Sequence, residues 1–171
     1  AAMRRDILSR LPRLPARGAG VPPGLDMLAT SDWMPYTWSL NNVVMTENVH
    51  AALALWQAGC ADEAFQLLKS SLVASMFMGI SPGNVGSMNY LDVYRRESQR
   101  DFADGSGVLS RALVEGLFGL KPDALNKELT IQPRFPRDWT HASIKHLAVE
   151  MAFTRTGSTD VYQFDASGIQ F

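Results

Sequence analysis

The stretch GNVGSMNYLDVYRRESQRDFADGSG, residues 83 to 107, lies between two apolar stretches of the chain. Its acids are Asp92, Glu97, Asp101 and Asp104, set among Asn89, Tyr90, Tyr94, Arg95 and Arg96. A second concentration of reactive and polar groups lies upstream, where SDWMPYTWSLNN is followed by Glu47 and His50. Carboxylates beside amides and aromatic rings suit a carbohydrate. The faces of Trp and Tyr stack on the C–H faces of a sugar ring, and the polar groups meet its hydroxyls. Cleaving a glycoside needs two carboxylates, one to protonate the leaving oxygen and one to activate water or attack the ring. A separation of about 5 Å gives retention and roughly 6.5–9.5 Å gives inversion. On this reading Asp92, Glu47 and Glu97 are the candidate catalytic carboxylates. Trp33, Tyr36, Trp38, Asn41, Asn42, His50, Asn89 and Tyr90 are the candidate sugar contacts.

Each of these residues also has an ordinary structural reading. Asp92, near Tyr90, Tyr94 and Arg95, suits an ion-paired structural acid, and Glu97 after Arg95-Arg96 suits a surface acid. Glu47 sits where a first-turn acid is favoured by the helix dipole. His50, three residues further on, shares its face, and a lone histidine there is commonly a hydrogen-bonded core group. Asp104, before Gly105-Ser106, reads as a helix cap. Trp38 and Trp56 read as core, and Glu115 as a mid-helix structural acid. No cofactor is expected. His141 and His146 lack metal-ligand spacing, and GNVGSMN lacks the Gly-Lys-Ser/Thr that completes a phosphate-binding loop. The Gly105-Ser106-Gly107 run is the remaining place for an anion, at a helix start.

The bulk properties narrow the classes. A chain of 171 residues can bury one substantial core. A formal net charge of −1 gives no reason to expect nucleic acid as a partner. The single cysteine, Cys60, excludes an internal disulfide and a multi-cysteine zinc site. No apolar run reaches membrane-spanning length. The basic N-terminal stretch lacks the continuous apolar segment of a signal peptide. Both ends read as cut from a longer parent chain. The first residues enter a helical stripe of Met3, Ile7, Leu8 and Leu11, and the last ones, SGIQF, read as a strand beginning.

Periodicity supplies the elements that would position the chemistry. Thr46 is the expected cap of a helix carrying Val49, Ala52, Leu53, Leu55 and Trp56, which Gly59 stops. A second helix from Ala61 carries Ala64, Phe65, Leu68, Leu72 and Met76, making an αα-hairpin with the first. Asp104 or Ser106 would cap a third helix, bearing Val108, Leu109, Ala112, Leu113, Leu117 and Phe118, with Gly119 at its end and Pro122 as a stop. Beyond Pro122 the period becomes two: Leu129 with Ile131, then Leu147, Val149, Met151 and Phe153, then a turn at Thr156-Gly157-Ser158 and the strand DVYQF. The expected organisation is a helical part over 1–122 and a β part over 123–171. The strands are too few to stand alone, so they should lie against the helices. One alternative is an interaction protein, because LALWQAGCADEAFQLL resembles a single tetratricopeptide unit. Such repeats need about three copies to be stable.

The order of parts carries a further resemblance. Leu117, Gly119, Pro122 and Asp123, followed by Leu129, Ile131, Pro133, Pro136 and Trp139, match a phrase similar to LxGxxPD and then LTIxPxxPxxW. That phrase resembles the carboxyl end of bacterial six-hairpin glycosidases, a group that includes α-L-rhamnosidases and disaccharide phosphorylases, and is nearest to an uncharacterised bacterial branch of it. The likeness covers roughly residues 40 to 155. It implies a mainly α chain, helix hairpins of a partial (α/α)6 toroid followed by a small antiparallel β-sandwich segment. It implies a glycoside hydrolase-like activity on an oligosaccharide or glycoside, in a periplasmic or extracellular setting. It also implies a barrel-mouth loop near residues 89 to 92, where Asn89-Tyr90-Leu91-Asp92 stands in place of the family's Trp-Glu phrase. A non-catalytic carbohydrate-binding or structural module with the same helices is the other reading.

Overall fold

Two helices form where apolar residues recur every three or four positions. In the computed structural model, which describes residues 27–28, 43–78, 89–91, 103–146 and 149–169, α1 spans Met45–Gln57 and α2 spans Ala61–Leu72. Helix α1 buries Met45, Asn48, Val49, Ala52, Leu53, Leu55 and Trp56. It ends in a Schellman motif, with Gly59 N–H donating to the Trp56 carbonyl at 2.8 Å and Cys60 N–H to the Leu55 carbonyl at 2.9 Å. That closure needs the left-handed backbone of Gly59, at φ +73°. The start of α1 differs from expectation. Val44 is the cap residue and makes no side-chain cap bond. Thr46 lies inside the first turn, its buried hydroxyl without a hydrogen-bond partner among the described residues.

Helix α2 runs on into a π-helical turn, Val73–Met78. Helix α3, Ala103–Arg111, does the same through Ala112–Leu117. Asp104 and Ser106 therefore lie within α3 instead of capping it. The π turn is closed by Phe118 N–H on the Leu113 carbonyl, 2.9 Å. Its Gly116 faces α1, where an added Cβ would fall 2.5 Å from Cε3 of Trp56. Glycine lets α3 and α1 approach around that indole.

The strands follow. Strand β1 (Val43–Val44) pairs with β2 (Asn89–Leu91). Strand β3 (Leu120–Asp123) pairs with β4 (Glu128–Ile131), so Pro122 lies in a strand and is not a helix stop. Strands β5 (His141–His146), β6 (Val149–Thr156) and β7 (Thr159–Asp165) form an antiparallel sheet in that order. Residues 166–169 make a turn, with Ile169 N–H on the Ala166 carbonyl at 3.0 Å, where a strand was expected.

This architecture corrects the expected fold class. The elements do not build an (α/α)6 toroid, and the strands form small two- and three-stranded antiparallel sheets in place of a β-sandwich segment. The reason lies in what covers the helices. Their wide apolar arcs meet strand and loop aromatics, where a toroid would offer further helices. One hydrophobic cluster joins Trp56, Leu68 and Leu117 to Phe135, Met151 and Phe153. Within it Phe135 stacks on Phe153 at 4.5 Å between centroids and meets Phe118 edge-on at 5.2 Å. Trp139 links Phe135 to Phe65 of α2, at 6.0 and 4.8 Å.

The α3-to-strand junction is held mainly by backbone. Arg134 N–H donates to the Leu117 carbonyl and Gln132 N–H to the Gly119 carbonyl, both at 2.9 Å. Gly119 sits at φ +67°, and a Cβ there would fall 1.9 Å from the Gln132 carbonyl oxygen. Trp56 Nε1 donates to the Arg134 carbonyl at 3.1 Å, while the Arg134 guanidinium donates to the Trp56 carbonyl. Asp123 shapes the β3–β4 turn by accepting from the Leu125 and Asn126 N–H groups, 3.1 Å each. The residues that carry the family-like phrase thus terminate a helix, shape a hairpin and fill a core.

Candidate functional site

The two chemically rich stretches of the sequence meet through β1 and β2. Val43 pairs with Leu91 and Val44 with Asn89, with an irregular step between them. Helix α1 starts at the next residue, Met45, so its first turn emerges beside the strand that carries Asn89 and Tyr90. That turn presents Glu47, and His50 follows one turn on; both are exposed. The backbone pairing thus sets the strand Asn89–Leu91 beside the residue that precedes α1, although the two segments are some forty residues apart in the chain. Asp92, Glu97, Trp33, Tyr36, Trp38, Asn41 and Asn42 lie outside the described residues.

Glu47 holds its proton more tightly than an ordinary glutamic acid. Partial enclosure of its carboxyl disfavours the charged form, and the positive charge on His50 opposes this without cancelling it. The residue as a whole is exposed, so the enclosure is one-sided. Such a carboxyl is suited to proton donation. His50 is not the core histidine that its helical position suggested.

Asn48 does what the sequence reading assigned to no residue. It is 1% exposed, and its side-chain amide is satisfied on both ends. Its Oδ1 accepts from Leu28 N–H at 2.7 Å, and its Nδ2 donates to the carbonyls of Leu28 at 3.0 Å and Val44 at 2.9 Å. It ties the Met27–Leu28 segment to the end of β1, one residue from Glu47. A signal existed in the sequence: Asn48 is a polar residue on the apolar stripe it shares with Ala52 and Leu55.

The remaining sequence candidates separate cleanly. Trp56 is fully buried, as its core reading required. Glu115 is paired with Arg111 at 2.9 Å on one helix face. Asp104 is an exposed first-turn acid. His141 and His146 are exposed on β5, and no His/Cys/Asp/Glu group suited to a metal occurs among the described residues. No helix among them is long and apolar enough to cross a membrane. Comparison with family models, curated protein sequences and solved structures finds no match.

Proposed function

We propose that this chain is part of a carbohydrate-active enzyme of the glycoside hydrolase type, with Glu47 at the head of α1 as its proton-donating carboxylate. The observation that carries this reading is the Val44–Asn89 pairing. It sets the backbone of the strand that carries Asn89 and Tyr90 beside the residue before α1, whose first turn carries the Glu47 carboxyl that a glycosidic oxygen would need as proton donor. The direction of the Glu47 proton affinity supports the assignment, as does the glycosidase-like phrase from Leu117 to Trp139. Asn89 and Tyr90 are the proposed sugar contacts. Asp92, next in sequence to the paired Leu91, is the proposed partner carboxylate.

A general acid must enter the reaction protonated, so activity falls as pH rises through the Glu47 pKa. Glu47→Gln, assayed against a panel of aryl glycosides, is expected to lower kcat about 10²–10⁴-fold for poor leaving groups. The loss should be far smaller for nitrophenolate leaving groups, which need no proton. His50→Ala should move the alkaline limb of the pH profile upward, because a charge that favours the Glu47 carboxylate is gone. Full turnover by Glu47→Gln on poor leaving groups would remove Glu47 from the mechanism.

The second reading, a non-catalytic carbohydrate-binding module, draws on a different observation. The residues of the glycosidase-like phrase are occupied in helix termination, hairpin formation and core packing, which is compatible with the architecture alone. Sugar binding without turnover of any glycoside is its expected signature.

A further inference from the structure

The segment Pro136–His141 leads from the α3-to-strand junction into β5, and its backbone is bound at nearly every step. Trp139 N–H donates to the Pro136 carbonyl at 3.2 Å, and Arg155 N–H to the Thr140 carbonyl at 2.7 Å. The Arg155 guanidinium donates to the carbonyls of Pro136, Arg137 and Trp139 at 3.0, 2.8 and 3.3 Å. The same guanidinium is held from behind by both carboxylate oxygens of Asp160, at 2.7 and 2.9 Å. Arg137 is tied to Asp62 of α2 through its backbone N–H, 2.9 Å, and its side chain. Arg137 of the loop and Arg155 of β6 are both committed to structure.

The loop's other polar side chains make no tie to another element among the described residues. Asp138, Thr140 and His141 are exposed, and together with half-buried Trp139 they line an open hollow of about 350 Å3. Among the described residues Asp138 makes no side-chain hydrogen bond or ion pair, and the His141 ring contacts the Thr140 hydroxyl through Nδ1 at 3.2 Å. That contact leaves Nε2 open. The hollow falls in the roughly 300–1,000 Å3 range of small-molecule sites. A larger one of about 440 Å3 on the β5–β6–β7 sheet differs in kind, because it holds the Lys145–Glu150 ion pair and no indole.

We infer that the Asp138–His141 hollow is a saccharide-binding surface site, separate from the head of α1, that takes a neutral sugar unit of an oligosaccharide. A half-buried indole held rigid by Phe65 and Phe135 offers a fixed apolar surface for sugar C–H groups. Asp138, Thr140 and His141 supply an acceptor, a mixed donor–acceptor and an imidazole for hydroxyls. The pinned backbone means that little ordering remains to oppose binding. The carboxylate of Asp138 selects neutral units over uronates. The ligand class rests on the carbohydrate reading of the chain.

The test uses the full chain with neutral hexasaccharides of β-linked glucose, α-linked glucose, xylose and rhamnose. Binding is followed by calorimetry and by amide shifts of residues 138 to 141. At least one hexasaccharide should bind with about millimolar affinity, as suits a shallow site, and perturb those amides. The exposed-residue variant Asp138→Ala/His141→Ala should weaken that binding roughly tenfold or more without changing its melting temperature. No binding of any hexasaccharide at about 10 mM, or equal binding by the double variant, overturns the inference. Aryl-glycoside turnover distinguishes the two proposals. Turnover that persists without binding at the hollow sinks this inference alone. Binding at the hollow with no turnover on any aryl glycoside sustains it and counts against the enzymatic reading.

Discussion

At the head of α1 the buried amide of Asn48 ties Leu28 to Val44, and Glu47 and His50 stand exposed on the same helix. At the junction from α3 into the strands, Leu117, Gly119, Gln132 and Arg134 are bonded backbone to backbone, around an indole that is itself hydrogen-bonded. The two regions differ in what their polar groups do. At the junction the hydrogen bonds join packed elements to one another. At the head of α1, β1 and β2 supply only a short ladder, and Glu47 and His50 are open to solvent. A site of chemistry has to leave some polar groups unspent; a structural joint spends them.

The largest test of that contrast is Gly119→Ala. The added Cβ must adopt a left-handed backbone and displace the Gln132 carbonyl, and the neighbouring backbone cannot yield as a flexible side chain would. Destabilisation of about 3–5 kcal/mol is expected in chemical denaturation. A loss under 1 kcal/mol, a threshold of roughly a fifth to a third of that, would show the joint to be soft.

Next is Asn48→Ala, which takes the acceptor from the Leu28 N–H and a donor from each of the Leu28 and Val44 carbonyls. An expected cost of about 2–3 kcal/mol should be accompanied by faster hydrogen exchange at Leu28 and in the first turn of α1. Unchanged exchange there would mean that the amide does not hold the head of α1 together.

The smallest effect belongs to Asp62. Its carboxyl is held below the ordinary value of 3.8, first by the Arg137 backbone N–H and then by the Arg137 side chain. A depressed folded-state pKa gives stability that is present above the ordinary value and lost as pH falls through the lower, folded one. The Asp62 side chain is 35% exposed, so solvent screening keeps the contribution below about 1 kcal/mol. Asp62→Asn should flatten the acid side of the stability–pH curve by that small amount, measured as the urea midpoint between pH 5 and pH 3, about the range over which a carboxylate titrates. An unchanged curve would mean that the tie between the loop and α2 is electrostatically idle.

Legibility in the sequence followed the length of each pattern. Helices α1 and α2 announce themselves through repeated three- and four-residue spacing, and the core position of Trp56 follows from it. Strands β6 and β7 are long enough to show alternation, though β7 is exposed along its whole length. Strands β1 and β2 have two and three residues, too few to establish a period, so the pairing that sets them side by side was invisible. Pro122 misled because proline stops helices, yet a two-stranded ladder with a free edge accommodates it equally well. The toroid expectation came from a phrase whose residues specify a local joint, and a joint of that kind does not fix how many helices precede it. Val44 as a cap had no signal, since no side chain performs the capping.

The β3–β4 hairpin is packed at its base and exposed at its tip. Beyond the bonded pair Leu120–Ile131 the chain runs out to a turn where Leu125 is 97% exposed. Loop-closure entropy grows only slowly with length, so added residues at that tip would cost little, whereas one residue added at the base would throw Gly119 out of line with Gln132. The hairpin is therefore the natural port for a display epitope or a surface tether, because it can lengthen without the helices sensing it.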